Sequence, residues 1–379
     1  MAAALATVAM VALSIAVAAL YSRILSTSRL ADPLPLNFPR PPSIHDFPEA
    51  RDEMERMERI GEGLIPGAED FAVDQDERYL YAACSDGWIR QIDLVDHSVK
   101  NWSYVGGRPL GIAAGLSKDE MLVCEPQMGL LSVTENGVRV LSGQADGLSY
   151  KSVKLLSLPL IDLLLFCSSR LADGLDVARD GTVYFTDAST SYGLHDFDLD
   201  LLEGRPYGRL LEYSPRTNQT TVLLRSLFFP NGVALSENED FLVFCETSQA
   251  RLQRYWLRGD KAGTAEVYVD NLPGLPDNVH RFGNHFWIAL LGGRSFLWEQ
   301  ALKFPLVKHI LGSQRLLLHY LHTSYSRVLT VDEDGKPLDM YESLQSESIG
   351  FMTTGMRVGN FLYLGSLSAN YIGRIPVQE

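Results

Sequence analysis

The chain is poor in the features that define many functional classes. It has only 4 cysteines in 379 residues. Cys84, Cys124, Cys167 and Cys245 are far apart, with no Cys-x-x-Cys and no adjacent histidine, which excludes a zinc cluster. Three of them lie in apolar, strand-like runs and are expected to be buried free thiols. Positive charge is scarce too: 33 Lys and Arg against 47 Asp and Glu leave a formal charge of −14. That balance argues against a nucleic-acid partner, which needs clustered cations. There is no Gly-x-Ser-x-Gly elbow and no Gly-rich phosphate loop, so serine-hydrolase and nucleotide chemistry lack their signatures.

One long apolar run is present. Residues 2–20 are almost wholly Ala, Val, Leu, Met and Ile, about the length that spans a bilayer. No basic residue precedes the run, and it is rich in Ala rather than Leu. Residues 1–23 are therefore expected to be a signal peptide or signal anchor that directs the chain into the secretory pathway. The endoplasmic reticulum, the vacuole and the extracellular space are all compatible destinations. Membrane contact would run through residues 2–20 if they are not cleaved. The sequons at Asn101 and Asn218 fit a lumenal domain with N-glycans. Residues 24–60, with Pro33, Pro35, Pro39, Pro41 and Pro42, read as a stem.

From Gly67 the signal is β. The stretch Phe228–Leu257 predicts three strands, with Ser236–Asp240 and a shorter turn near Ser248 between them. Comparable units recur near residues 71–94, 111–138, 175–213, 279–332 and 356–375. Six small antiparallel units predict an all-β chain, a six-bladed β-propeller over 61–379. Tyr192–Glu203 and Phe296–Leu321 read as insertions. The second is apolar and basic, with Leu302, Leu306, Ile310 and Leu311 at roughly helical spacing, and suits a lid, a membrane contact or a helix packed on its own domain.

In a propeller the turn before each innermost strand aims at the central axis. Those turns carry Glu69-Asp70, Leu110, Asp173-Gly174, Asn231-Gly232 and Asp277-Asn278. Each is an ordinary turn motif on its own. Together they bring hard oxygen donors to one axis with no sulfur or imidazole, which selects Ca²⁺ over zinc or copper. The carboxylates and carboxamides of these turns are the candidate ligands, and Asp277 or Asp70 is the candidate proton acceptor.

Thr182-Val-Tyr-Phe-Thr-Asp, Leu202–Tyr213, Phe229-Pro-Asn-Gly-Val, Ala250-Arg-Leu-Gln-Arg-Tyr-Trp and Leu275-Pro-Asp-Asn-Val resemble the strictosidine synthase-like family over about residues 30–375. The resemblance implies a six-bladed propeller related to calcium-dependent phosphotriesterases and paraoxonases, with an N-terminal signal or type II anchor. It places the metal ligands of those relatives on Glu69, Asp173 (where Asn is usual), Asn231 and Asp277. It also implies two departures. No carboxylate stands near Met352–Thr354, where the synthases carry a general base, and Pro109-Leu110-Gly111 lacks the paraoxonase histidine. The expected activity is metal-dependent hydrolysis of an ester or lactone of a small-molecule substrate. A non-catalytic binding propeller is the alternative, and amine–aldehyde condensation with a base relocated to Glu342 or Glu347 is a further one.

Overall fold

The computed structural model describes residues 2–39, 47–48, 50–51, 53–149, 171–314, 326–342 and 349–377. Six sheets surround one axis, five of four strands and one of five, and a two-stranded hairpin, Gln144–Ala145 with Leu148–Ser149, lies apart from them. Their first strands meet from blade to blade and form the inner wall: Phe71–Val73, Ile112–Ala114, Ala172–Val177, Pro230–Leu235, Gly274–Phe282 and Met352–Val358. The second strands, such as Val183–Asp187 and Phe241–Glu246, are buried throughout. Blades cover both of their faces, so they read as continuous apolar runs and not as alternating ones.

The fourth, outermost strands are the part the three-strand reading missed. In the fourth blade that strand is Ala265–Val269, with a mixed exposure pattern. Its neighbour on one side is solvent, so few large apolar residues mark it. The sixth blade takes its fourth strand from far upstream. Glu58–Ile60 pairs antiparallel with Ile372–Pro376 and closes the ring. Ala50–Arg51 pairs parallel with Pro337–Glu342 at the edge of the fifth. Thus the end of the segment expected as a stem is built into the propeller.

More of that segment packs on the ring face. Leu30 and Leu36 are buried in a cluster with Leu199, Leu202, Trp298, Leu302 and Leu311. The last five come from three short helices: α2 (Phe197–Glu203), α3 (Phe296–Leu302) and α4 (Pro305–Ser313). The insertion expected to hold a single helical face is thus two helices, parted at Lys303-Phe304, with Pro305 opening the second. Leu302 and Leu311 face inward, whereas Leu306 and Ile310 are exposed. The strap of residues 30–36 is laced down by backbone bonds, Leu34 N–H to the Glu203 carbonyl and Leu36 N–H to the Leu302 carbonyl. The buried Lys308 ammonium donates to the Leu34 carbonyl, and Glu203 accepts from the Ala31 and Asp32 amides.

The apolar N-terminal run forms a helix, α1 (Ala2–Thr27), whose described side chains from Ala12 to Arg23 are exposed. Counted over the described residues, no helix is long and apolar enough to cross a membrane. Its role as signal or anchor stays an expectation.

Cys84, Cys124 and Cys245 are buried free thiols, as expected, and Cys167 lies outside the described residues. Burial pushes the Cys84 thiol up to about 11 and the other two well above their ordinary value. These three thiols should stay silent to an aqueous disulfide reagent at pH 8 in the folded chain and react on unfolding, as thiol titration with and without denaturant would record.

Candidate active site

Three of the inner strands break register where the expected ligands stand. Pairing slips between Ala172 and Leu175, between Pro230 and Val233, and between Pro276 and Val279. A bulge frees its residues from the ladder and re-aims their side chains. Asp173, Asn231 and Asp277 are the residues re-aimed. They line one axial cavity together with Glu69. All four are at most 6% exposed.

Close approach of the inner strands demands glycine after two of these ligands. A Cβ on Gly174 would lie 2.6 Å from Gly232 Cα, and one on Gly232 would lie 2.5 Å from Asn278 Cα. The glycine after Asn231 therefore admits the next blade's backbone, where the sequence suggested room for a ligand. Threonine hydroxyls then pin the same turns. Thr186 donates to the Asn231 carbonyl, Thr247 to the Pro276 carbonyl and Thr353 to the Glu69 carbonyl, each at 2.7 Å. Sequence reasoning passed over these threonines. The signal was there in part, as Thr186 and Thr247 each lie at the end of a second strand.

The donor atoms are left open. Glu69 Oε1 accepts from the Asn278 carboxamide at 2.9 Å, but Glu69 Oε2, Asn231 Oδ1 and Asp277 Oδ1 are buried with no hydrogen-bond partner. Unpaired buried oxygens are costly and rare. Burial and then the charges of Asp277, Asp173 and Asp70 hold the Glu69 carboxyl well above its ordinary range. Burial, reinforced by Asp70 and Asp187, pushes Asp173 up to about 8. Asp277 is raised by burial and by Asp173, with a hydrogen bond from Asn231 partly opposing. Three carboxylates converging from three blades need protons or a cation, and three orphaned oxygens suit a hard divalent ion. The donor set fits Ca²⁺ through its mixture of carboxylate and carboxamide. Among the described residues, no three His, Cys, Asp or Glu side chains form a metal-holding group by themselves.

Apolar side chains make up most of the rest of the wall, among them Leu110, Leu171, Phe197, Leu201, Phe229 and Leu291. Phe197 and Leu201 come from α2, so that helix roofs the cavity, with α3 and α4 packed behind it. Phe229 holds φ at 51°, a left-handed conformation rare for a bulky residue and concentrated at functional sites. Among the described residues, Arg108 is the one cationic side chain on the wall.

Asp70, the alternative proton acceptor, is not on this wall. Its Oδ1 meets His280 Nε2 at 2.8 Å and the Thr354 hydroxyl at 3.0 Å, and its Oδ2 accepts from the Ile112 amide. Adjacent residues of an extended chain point to opposite sides, so Glu69 and Asp70 cannot both face the same cavity. His280, read from sequence as structural or surface, is this partner of Asp70. Of the two carboxylates considered as a relocated base, Glu342 is buried against Arg327, and Glu347 lies outside the described residues. Asn101 is exposed on the outermost strand of the first blade, and Asn218 is exposed just before the outermost strand of the third, its side chain accepting from the Tyr213 hydroxyl at 2.9 Å.

A six-bladed propeller with an acid-lined axial cavity beneath a helical lid defines the class. The strictosidine synthase sequence profile matches residues 173–260, which contain two of the four expected ligands. STRICTOSIDINE SYNTHASE-LIKE 6 of Arabidopsis thaliana is 37% identical over 328 residues, covering 84% of this chain and 81% of that protein. The adipocyte plasma membrane-associated protein of Bos taurus is 30% identical over 368 residues, covering 91% and 84%. The chain belongs to the strictosidine synthase-like family. Among solved structures, a gluconolactonase of Xanthomonas campestris superposes with a TM-score of 0.58 at 16% identity, over 93% of this chain and 98% of that one. Regucalcin of Agrobacterium tumefaciens, described as a calcium-binding protein, superposes with a TM-score of 0.55 at 13% identity, over 92% and 96%. At such identities these two establish the fold alone.

Proposed function

We propose that this protein is a calcium-dependent hydrolase of esters or lactones, held in the secretory pathway by its N-terminal apolar segment. The observation that carries the reading is the trio of buried, unpartnered oxygens on Glu69, Asn231 and Asp277, which open into one largely apolar cavity. The gluconolactonase and calcium-binding descriptions of two structural neighbours support it. The sequons at Asn101 and Asn218, both exposed, and the membrane-associated relative support the location.

Glu69, Asp173, Asn231 and Asp277 would hold the ion, which when bound polarises a carbonyl or phosphoryl oxygen and acidifies water. The chain's own residues do the remainder. Asn278 orients Glu69 through its 2.9 Å bond. Leu110, Phe197, Phe229 and Leu291 receive the apolar part of the substrate and exclude bulk water. Arg108 offers donors to a developing negative charge. Asp277, besides holding the ion, is the candidate acceptor for the proton of the attacking water.

Arylester and lactone turnover by the full chain, with and without a chelator, tests the proposal. Turnover should require added calcium and fall by about 10²–10³ in Asn231→Ala. Turnover indifferent to both would sink the metal mechanism. Calcium binding with no turnover across a broad panel would favour the non-catalytic propeller.

A further inference from the structure

The lid sequence is short of acidic residues. No Asp or Glu occurs between Gln300 and Val331, in a sequence with 47 such residues. In α3, α4 and the turn between them, Phe296, Leu297, Phe304, Leu306 and Ile310 are exposed, the first two at 68% and 67%. The acidic residue of α3, Glu299, is buried against Arg294. Exposed large apolar groups gathered in one short stretch, with no exposed carboxylate among them, mark an interaction surface.

The position of α1 indicates what covers it. Helix α1 contacts α4, and His309 Nδ1 meets the Ser28 hydroxyl at 2.9 Å just past the end of α1. Ser28 leads into the strap that Glu203 and Lys308 hold. The apolar run 2–20 and the apolar flank of the lid therefore leave the propeller side by side, fixed to one another. α1 does not cover the patch, because both remain exposed. Lys303, between α3 and α4, donates to the Gln300 carboxamide oxygen at 3.3 Å, and among the described residues of these two helices no exposed acid stands beside it.

We propose that the outer face of α3 and α4 is a second membrane contact, seated in the headgroup and upper acyl region of an anionic bilayer that α1 enters. Amphipathic interfacial helices bury their apolar side chains about 5–10 Å below the surface, and cations at their margin add attraction to anionic lipid. Helices α3 and α4, packed on the α2 that roofs the axial cavity, would then lie against lipid, and an apolar substrate would reach the cavity from the bilayer side. Docking itself needs no catalysis, so it stands or falls separately from the hydrolase reading.

The test uses the full chain reconstituted into phosphatidylcholine vesicles with and without phosphatidylserine. An environment-sensitive fluorophore is placed on Leu297→Cys, on Leu306→Cys and, as a control, on Val95→Cys, a site 76% exposed in the first blade. Brominated lipids should quench about half or more of the emission at 297 and 306 and leave 95 unchanged, with stronger quenching on anionic vesicles. Equal, water-like emission at all three sites would show that α1 anchors the chain while the lid stays in solvent, and would overturn the proposal. Shielded labels that lipid bromine does not quench, with cross-linking between copies through 297, would assign the face to self-association and overturn it equally.

Discussion

Chelation of calcium should lower the melting temperature of the folded chain by roughly 6 °C at pH 8, and by much less at pH 5. The magnitude follows from mass action: a ligand at a thousand times its dissociation constant stabilises by about 4 kcal/mol, and each kcal/mol shifts a domain of this size by about 1.5 °C. The pH dependence follows from the carboxylates. Asp173 is pushed up to about 8, and Glu69 and Asp277 are raised in the same direction. A carboxyl raised in the fold holds its proton more tightly there than in the unfolded chain. Its stabilising share is complete below the unfolded value near 4 and is lost as pH climbs toward the folded value. Ion-free protein therefore weakens from about pH 4 to pH 8, the window in which a bound cation relieves the repulsion. Scanning calorimetry at both pH values, with calcium and with chelator, decides the matter. Identical curves with and without chelator would remove the ion from this cavity.

Gly232→Ala should cost about 1–3 kcal/mol and weaken calcium binding about 10-fold or more. The new methyl would stand 2.5 Å from both Asn278 Cα and Val279 N, and these are backbone atoms that no rotamer change can move. Displacement of Asn278 reaches the site directly, because its carboxamide positions Glu69. Gly350→Ala is the fitting control, since its nearest contact would be the Ser368 hydroxyl at 3.9 Å. Denaturant titration and calcium calorimetry on the two variants should differ sharply. A Gly232→Ala chain as stable as the control, with unaltered calcium affinity, would show that the inner ring yields more easily than its packing implies.

The parts of this architecture legible in the sequence were those written in local pattern. Phe241–Glu246 is a continuous apolar run because blades bury both its faces, and Pro230-Asn231-Gly232 marked the start of an inner strand. The axial residues could be named because each precedes or opens such a strand. What escaped depends on distance or on direction. Glu58–Ile60 closes a sheet with residues more than three hundred positions away, and no local periodicity records that pairing. Ala265–Val269 is a solvent-side strand with little apolar signature. Glu69 and Asp70 form one acidic dipeptide in the sequence, yet the extended backbone sends Glu69 to the cavity and Asp70 to His280. The lid's apolar positions fit a single helix until Pro305 divides them.

The strap at residues 30–36 has a mechanical consequence. Tension applied through α1 travels along the chain and meets the strap before it meets Glu58–Ile60, the short strand that completes the ring. The strap's bonds to Glu203 and Leu302, backed by the buried Lys308, take that load first and pass it into the lid helices. The seam of the propeller is thereby decoupled from a pull through α1. The strap acts as a strain relief, the part of a cable that is clamped so that the joint behind it never feels the pull.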